Sequence, residues 1–253
     1  MTGDGESIGF WMIDNIHYVG TERVSSHLFT SEEGHILIDT CMPEDGPAIL
    51  KNISALGFDP GDIRYILMSH AHIDHLGSTK FLAEATGAKV CIGEADVQAA
   101  ERGSTSKMGL VGFSPFKVDI ALKEGDEVSV GERDILIYHT PGHTPGCISF
   151  GFEVQDEGHK YSGFIFGGPG VNVFQPKNLE KGIYGGTLQD FQSTLDRLDA
   201  LQVQVWLGAH PNQNNTFQKL ELLKKGAKPN PYIDPEGWKA FLQTLREKLK
   251  RLL

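Results

Sequence analysis

Three imidazoles and a carboxylate stand within six residues, His70-Ala71-His72-Ile73-Asp74-His75, directly after the apolar segment 63–68. Neutral imidazole nitrogens and carboxylate oxygens are the ligands that hold zinc in reactive sites, where one coordination position stays open for water. The spacing points to two ions. His70 and His72 lie two apart, so an extended or loop backbone presents them the same way, whereas Asp74 and His75 follow the turn and face a second position close by.

A histidine-rich tract alone also occurs on solvated loops that bind nothing. Further along, Thr140-Pro141-Gly142-His143-Thr144-Pro145-Gly146 sets one histidine between two Pro-Gly turns after the strand-like stretch 135–139. Proline fixes φ and glycine permits unusual angles, so this segment holds a side chain rigidly at a strand end. Residues 203–207 read as another buried strand, and Gly208-Ala209-His210-Pro211 repeats the arrangement. Histidines recurring at strand ends are hard to explain by chance.

These residues need a scaffold. The pattern predicts strands over 16–19, 27–30, 35–39, 63–68, 89–92, 127–130, 135–139, 147–152, 161–166 and 203–207, with helices over 47–56, 77–86, 95–102 and 188–200. Leu188, Phe191, Leu195, Leu198 and Leu201 make a core-facing stripe on the last of these. Residues 235–253 form an amphipathic helix with Trp238, Phe241, Leu242, Leu245, Leu249 and Leu252 on one face, expected to pack on its own domain. A chain of 253 residues, 40% hydrophobic and 22% charged, is expected to be one domain over 1–253. The net charge of −10 argues against a nucleic-acid surface, and although a basic amphipathic helix such as 235–253 can bind membranes or partners, packing on its own domain is the reading taken and no membrane partner is expected. Cys41, Cys91 and Cys147 make neither a zinc ribbon nor a disulfide framework and are expected to be small buried side chains. Met1 to Glu6 has no basic or apolar leader region, so the expectation is a cytoplasmic protein as given, or a periplasmic or secreted one if a leader has been removed.

The order HAHIDH, PGHTPG, GAHP resembles the metallo-β-lactamase superfamily, over about residues 13–238. The pieces IDNIHYVG, GHILIDT, SHAHIDHLG, ALKEGDEVSVG and HTPGHTPGCISF are similar to its class B3 enzymes. The resemblance implies an αββα sandwich of α/β class with the metal site at one edge between two sheets. It implies two Zn2+ per chain, the first held by His70, His72 and His143, the second by Asp74, His75 and His210. Glyoxalase-type and lactonase-type members usually place a bridging Asp near Phe166, and class B1 lactamases a Cys. Here Gly167-Gly168-Pro169-Gly170 offers no such ligand, so the second zinc uses His75, as in class B3. That class often has a substrate-orienting Ser in this segment; Gly168 stands at the nearest position here.

The mechanism implied is hydrolysis of a β-lactam amide by a metal-bound hydroxide oriented by Asp74, with no protein nucleophile. The alternative is a lactone, ester or thioester hydrolase with weak lactam turnover. A non-catalytic metal-binding role is disfavoured by the full set of six ligands. An iron-based oxygen or nitric oxide reductase is disfavoured because that branch has Glu where this chain has His72. The irregular stretches 102–117 and 173–187 are expected to wall the site for a small-molecule substrate, with Met108, Leu110, Phe113, Phe116 and Phe174 apolar and Asn172, Asn212 and Gln213 polar. His139 and Asp39 are expected to be structural, and His17, His27, His35 and His159 receive no role.

Overall fold

The computed structural model describes residues 8–104, 112–180 and 185–252. The chain opens with strands β1 (Phe10–Ile13), β2 (Ile16–Tyr18), β3 (His27–Ser31) and β4 (Gly34–Ile38), then helix α1 (Gly46–Ala55) and strand β5 (Ile63–Met68). The short α2 (Ile73–Leu76) and α3 (Thr79–Thr86) precede β6 (Lys89–Gly93), α4 (Val97–Arg102) and β7 (Ile120–Leu122). Four strands follow, β8 (Glu127–Val130), β9 (Arg133–His139), β10 (Ile148–Asp156) and β11 (His159–Phe166). The remainder runs α5 (Pro176–Glu180), α6 (Leu188–Asp199), β12 (Val205–Gly208), α7 (Thr216–Lys224) and α8 (Pro235–Lys250).

Two sheets result. β1 to β7 lie side by side in chain order, antiparallel as far as β4 and parallel from β4 onward. The second sheet runs β12-β11-β10-β9-β8, with only β11 and β12 parallel. Strand side chains alternate between faces, and here both faces are apolar. Ile36 and Ile38 of β4, Leu67 of β5, Ile165 of β11 and Leu207 of β12 point between the sheets. Leu37, Ile66 and Met68 face outward onto α1, α3 and α4 through Ile49, Ile53, Leu82 and Ala100. Phe164, Phe166 and Trp206 face outward onto α6 and α8 through Phe191, Leu195, Trp238 and Leu242. The architecture is therefore helix, sheet, sheet, helix, the αββα sandwich expected. Strands covered on both faces read as continuous apolar runs.

Several elements depart from expectation. β1, β7, α5 and α7 have no counterpart in the sequence pattern, and β9 and β10 are longer than expected. The added length makes β10 and β11 a hairpin closed at Glu157-Gly158, whose φ angles of 48° and 82° suit the two-residue turn that matches strand twist. The helix expected from Gly77 begins at Thr79, because the chain first makes the separate turn α2. α8 starts with Pro235 in its first turn, and Asp234 caps it by accepting from the Gly237 N–H at 2.9 Å. No helix among the described residues is long and apolar enough to cross a membrane.

Candidate metal centre

The ends of β5, β9 and β12 deliver the candidate ligands to one edge of the sandwich. After Met68 the chain bends through residues 69–71, His72 N–H donating to His70 O at 3.0 Å; His72 itself is extended, with φ and ψ of −103° and 146°, and α2 follows with Asp74 and His75. The change of backbone angle separates one pair of ligands from the other. His143 is set by the Pro-Gly turn before it: Gly142 has φ of +132°, and a Cβ there would lie 2.5 Å from Phe191 backbone and side-chain atoms. Only glycine fits that position. His210 follows β12, where Ser25 N–H donates to Ala209 O at 3.1 Å.

Two trios form. One ligand atom from each of His70, His72 and His143 lies within 4.8 Å of the others, and the same holds for Asp74, His75 and His210. All six expected ligands are brought together in the two groupings expected. The trios adjoin, with the His70 and His75 ring centres 4.3 Å apart. Asp74 Oδ2 stands 3.6 Å from both His75 Nε2 and His210 Nε2.

Hydrogen bonds fix which nitrogen of each ring faces inward, since a carbonyl or carboxylate oxygen only accepts. His75 Nδ1 donates to Asp39 Oδ2 at 2.8 Å, His143 Nδ1 to Gly170 O at 2.6 Å and His210 Nδ1 to Arg23 O at 2.9 Å. Ser69 Oγ donates to Asp39 Oδ2 at 2.8 Å and therefore accepts from His70 Nδ1 at 3.0 Å. The Nε2 lone pairs of His70, His75, His143 and His210 are thus left for the centre. His70 Nε2 is buried and has no hydrogen-bond partner, a cost that a cation removes. His143 Nε2 and His72 Nδ1 approach to 2.9 Å, somewhat closer than the roughly 3.3 Å that two nitrogens adopt on a tetrahedral zinc with bonds of about 2.05 Å. The donor set, three nitrogens beside two nitrogens and a carboxylate, fits zinc in a reactive site.

Charge follows the same division. Burial, reinforced by the neighbouring imidazoles, holds His70 and His72 well below the usual histidine pKa. Burial also takes His143 down to about 4 and lowers His210. These rings are neutral ligands near neutral pH. Burial also works against charge on His75, but the Asp74 and Asp39 carboxylates outweigh it and raise its pKa. Burial opposes charge on Asp74 too, yet His75 and His210 beside it bring its carboxyl below the ordinary value.

Two buried carboxylates that touch no substrate space hold the loops. Asp39, at φ of 61°, takes Ser69 N–H on Oδ1 at 2.8 Å as well as the two bonds on Oδ2. Asp96 takes Ala71 N–H and the Thr144 hydroxyl on Oδ2 at 2.9 and 2.6 Å, and Gly146 N–H on Oδ1 at 2.9 Å. It thereby joins the loop between His70 and His72 to the loop around His143. Asp39 agrees with the structural part expected of it. Asp96 and Ser69 went unnoticed, because neither has a spacing that signals its partners. His139 braces the His143 loop through Nε2 to Pro145 O at 2.9 Å and joins neither trio.

The centre lies in a cleft of about 690 Å3 lined by the six ligands, Gly167 to Gly170, Ile73, Asn172, Val173 and Gln213. Gly168, Asn172 and Gln213, the residues expected to contact substrate, line this cleft. A Cβ on Gly168 would meet Cys147 Sγ at 2.6 Å and His143 Cβ at 2.8 Å, so at this position the floor of the cleft is lined by backbone alone. The apolar wall is Ile73 and Val173. Phe113 and Phe116 instead pack in the core beneath α1, α3 and α4, and Phe174 packs against α6, because burial on those helices removes more apolar surface from water than a place at the rim. Asn212 lines a neighbouring groove. Met108 and Leu110 lie outside the described residues. The three cysteines are buried and free.

A sandwich with this paired histidine centre defines a metallo-hydrolase architecture. The sequence pattern of the Metallo-beta-lactamase superfamily matches residues 19–156, and the chain belongs to that superfamily. BJP-1, a subclass B3 metallo-beta-lactamase of Bradyrhizobium japonicum, superposes with a TM-score of 0.90 at 34% identity, covering 96% of this chain and 92% of that one. The class B3 di-zinc metallo-beta-lactamase LRA-12 from an Alaskan soil metagenome gives 0.88 at 28% identity over 100% and 98% of the two chains. A hydroxyacylglutathione hydrolase of Cereibacter sphaeroides is 34% identical over 48% of this chain and 40% of its own length. An N-acyl homoserine lactonase of a Bacillus species is 29% identical over 52% and 59%. The chain thus spans about half the length of the curated relatives it matches.

Proposed function

We propose that this chain is a di-zinc, class B3-like β-lactam hydrolase. His70, His72 and His143 would hold one zinc and Asp74, His75 and His210 the other. When bound, the ions activate water and stabilise the oxyanion and the leaving amide nitrogen. Asp74 is the catalytic carboxylate: kept charged by His75 and His210, it accepts a hydrogen bond from the attacking water and orients it. Asp39 keeps the proton of His75 on Nδ1, so that Nε2 stays available. The backbone of Gly167 to Gly170 and the Asn172 and Gln213 side chains line the substrate's path.

The observation that carries this reading is the makeup of the second trio. It is completed by His75, while the strand end at Gly167 and Gly168 brings no carboxylate or thiol to the cleft. The similarity to class B3 structures over nearly the whole chain supports it. The alternative, a lactone, ester or thioester hydrolase, is favoured by the names of the half-length relatives. Steady-state hydrolysis of a chromogenic cephalosporin and a carbapenem by zinc-loaded protein, with a chelator control and a parallel lactone assay, separates them. Chelator-sensitive lactam turnover supports the first; lactone turnover with inert lactams establishes the second.

A further inference from the structure

Beside the metal cleft lies a larger groove, of about 1280 Å3, between the His210 loop and α8. The two cavities share Pro169, Gly170, His210 and Gln213 as a common wall. A molecule held at the centre can therefore extend over this ridge. The groove is apolar at its base, with Val171, Leu245 and the stacked rings of Trp206 and Phe241, whose centres are 4.7 Å apart. Asn215 and Thr244 add polar atoms to the lining.

Its charges are uneven. Asp234 lines it but is already bonded to Lys219 Nζ at 2.7 Å and to Gly237 N–H at 2.9 Å. On α8, Lys239 pairs with Glu236 and Arg246 with Asp196 and Asp199. Lys248 lines the groove, and no ion pair is found for it among the described residues. On a chain of net charge −10, an exposed, unpaired ammonium at the rim of a groove with an apolar base and polar sides favours an anion at the end of an apolar arm.

Resting on the hydrolase reading above, we infer that this groove is a specificity subsite for the acyl substituent of the substrate, preferring an extended apolar chain that ends in a carboxylate. The amide or ester under attack stays in the metal cleft, the chain crosses beside Gln213, and Lys248 receives the terminal charge. The subsite acts on binding and leaves the chemistry unchanged.

Three cephalosporins with one nucleus and an acetyl, a pentanoyl or a glutaryl substituent test this. In Lys248→Glu, KM for the glutaryl compound should rise roughly five- to tenfold, since one attraction of rim strength becomes a repulsion. KM for the other two should stay within about twofold and kcat should not move. Ala240→Trp fills the groove from an exposed helix position; it should raise KM for both long compounds and spare acetyl, which also reports an intact fold. Equal response of all three compounds to either variant overturns the subsite. If no cephalosporin is turned over, calorimetric titration of chelator-treated protein decides: glutaryl binding weakened by Lys248→Glu keeps the subsite while the lactamase reading falls, and unchanged binding overturns both.

Discussion

Replacing Asp39 by Asn changes one atom in the support of the second trio while keeping its shape. Asn tolerates the positive φ of 61° found there, and its carbonyl can still accept from Ser69 N–H. The other position becomes an NH2 facing two donors, His75 Nδ1–H and Ser69 Oγ–H, each now 2.8 Å from Oδ2. His75 escapes by moving its proton to Nε2, the atom meant for metal. A hydrogen bond to a charged group is worth about 1.5–3 kcal/mol, and a factor of ten is about 1.4 kcal/mol. The second ion should therefore bind roughly 10- to 100-fold more weakly, in line with other changes to groups that orient a ligand. Titration with zinc against a competing chelator reads both affinities, and the imidazole nitrogen shifts in NMR read the tautomer. The first ion should weaken less, because only His70 of its trio depends on Asp39, and only through Ser69 Oγ, while His72 and His143 do not touch it. Two unchanged affinities with His75 still protonated on Nδ1 would refute the reasoning.

Three further outcomes follow from the centre. His210→Ala should lower zinc content from two towards one per chain, and Asp74→Ala or His72→Ala should abolish hydrolysis with the circular dichroism spectrum kept; full activity of either at saturating zinc would break the dinuclear scheme. Acidification should strip the second ion first. The pKa of His75 is raised above the usual imidazole value, so protons compete there once pH falls through that raised pKa, about tenfold in affinity per unit below it, whereas His143 at about 4 shelters the first trio; simultaneous loss of both ions would contradict this. Gly168→Ala should cost about 1–3 kcal/mol in denaturant unfolding, as expected of overpacking, because its Cβ would sit 2.6 Å from Cys147 Sγ and 2.8 Å from His143 Cβ; an unchanged midpoint would show that the floor yields.

The ligands were legible because chemistry and backbone signals coincide in short windows. His70 to His75 are contiguous, and His143 and His210 follow apolar runs and stand beside Gly and Pro. Asp96 was not legible: its partners are 25, 48 and 50 residues away, Ala71 reaching it through the pairing of β5 with β6 and Thr144 and Gly146 through the meeting of the two sheets. Strand β7 is three residues long at a sheet edge, too short for alternation to register. In α7, Phe217 and Leu223 pack against the core while Leu222 between them is exposed, so its apolar residues do not form one stripe. Phe113 and Phe116 misled because aromatic residues in a Gly- and Ser-containing stretch suggest a rim, whereas they are buried in the core with α1, α3 and α4.

The Asp96 carboxylate has a kinetic meaning. Its three hydrogen bonds tie the turn carrying His70 and His72 to the turn carrying His143. The entropy of gathering those ligands is met during folding, so capture of the first ion needs no search by the loops. On the di-zinc reading, loading of the first position should then track free ion concentration, so that a newly folded chain would compete for scarce zinc at the speed of encounter.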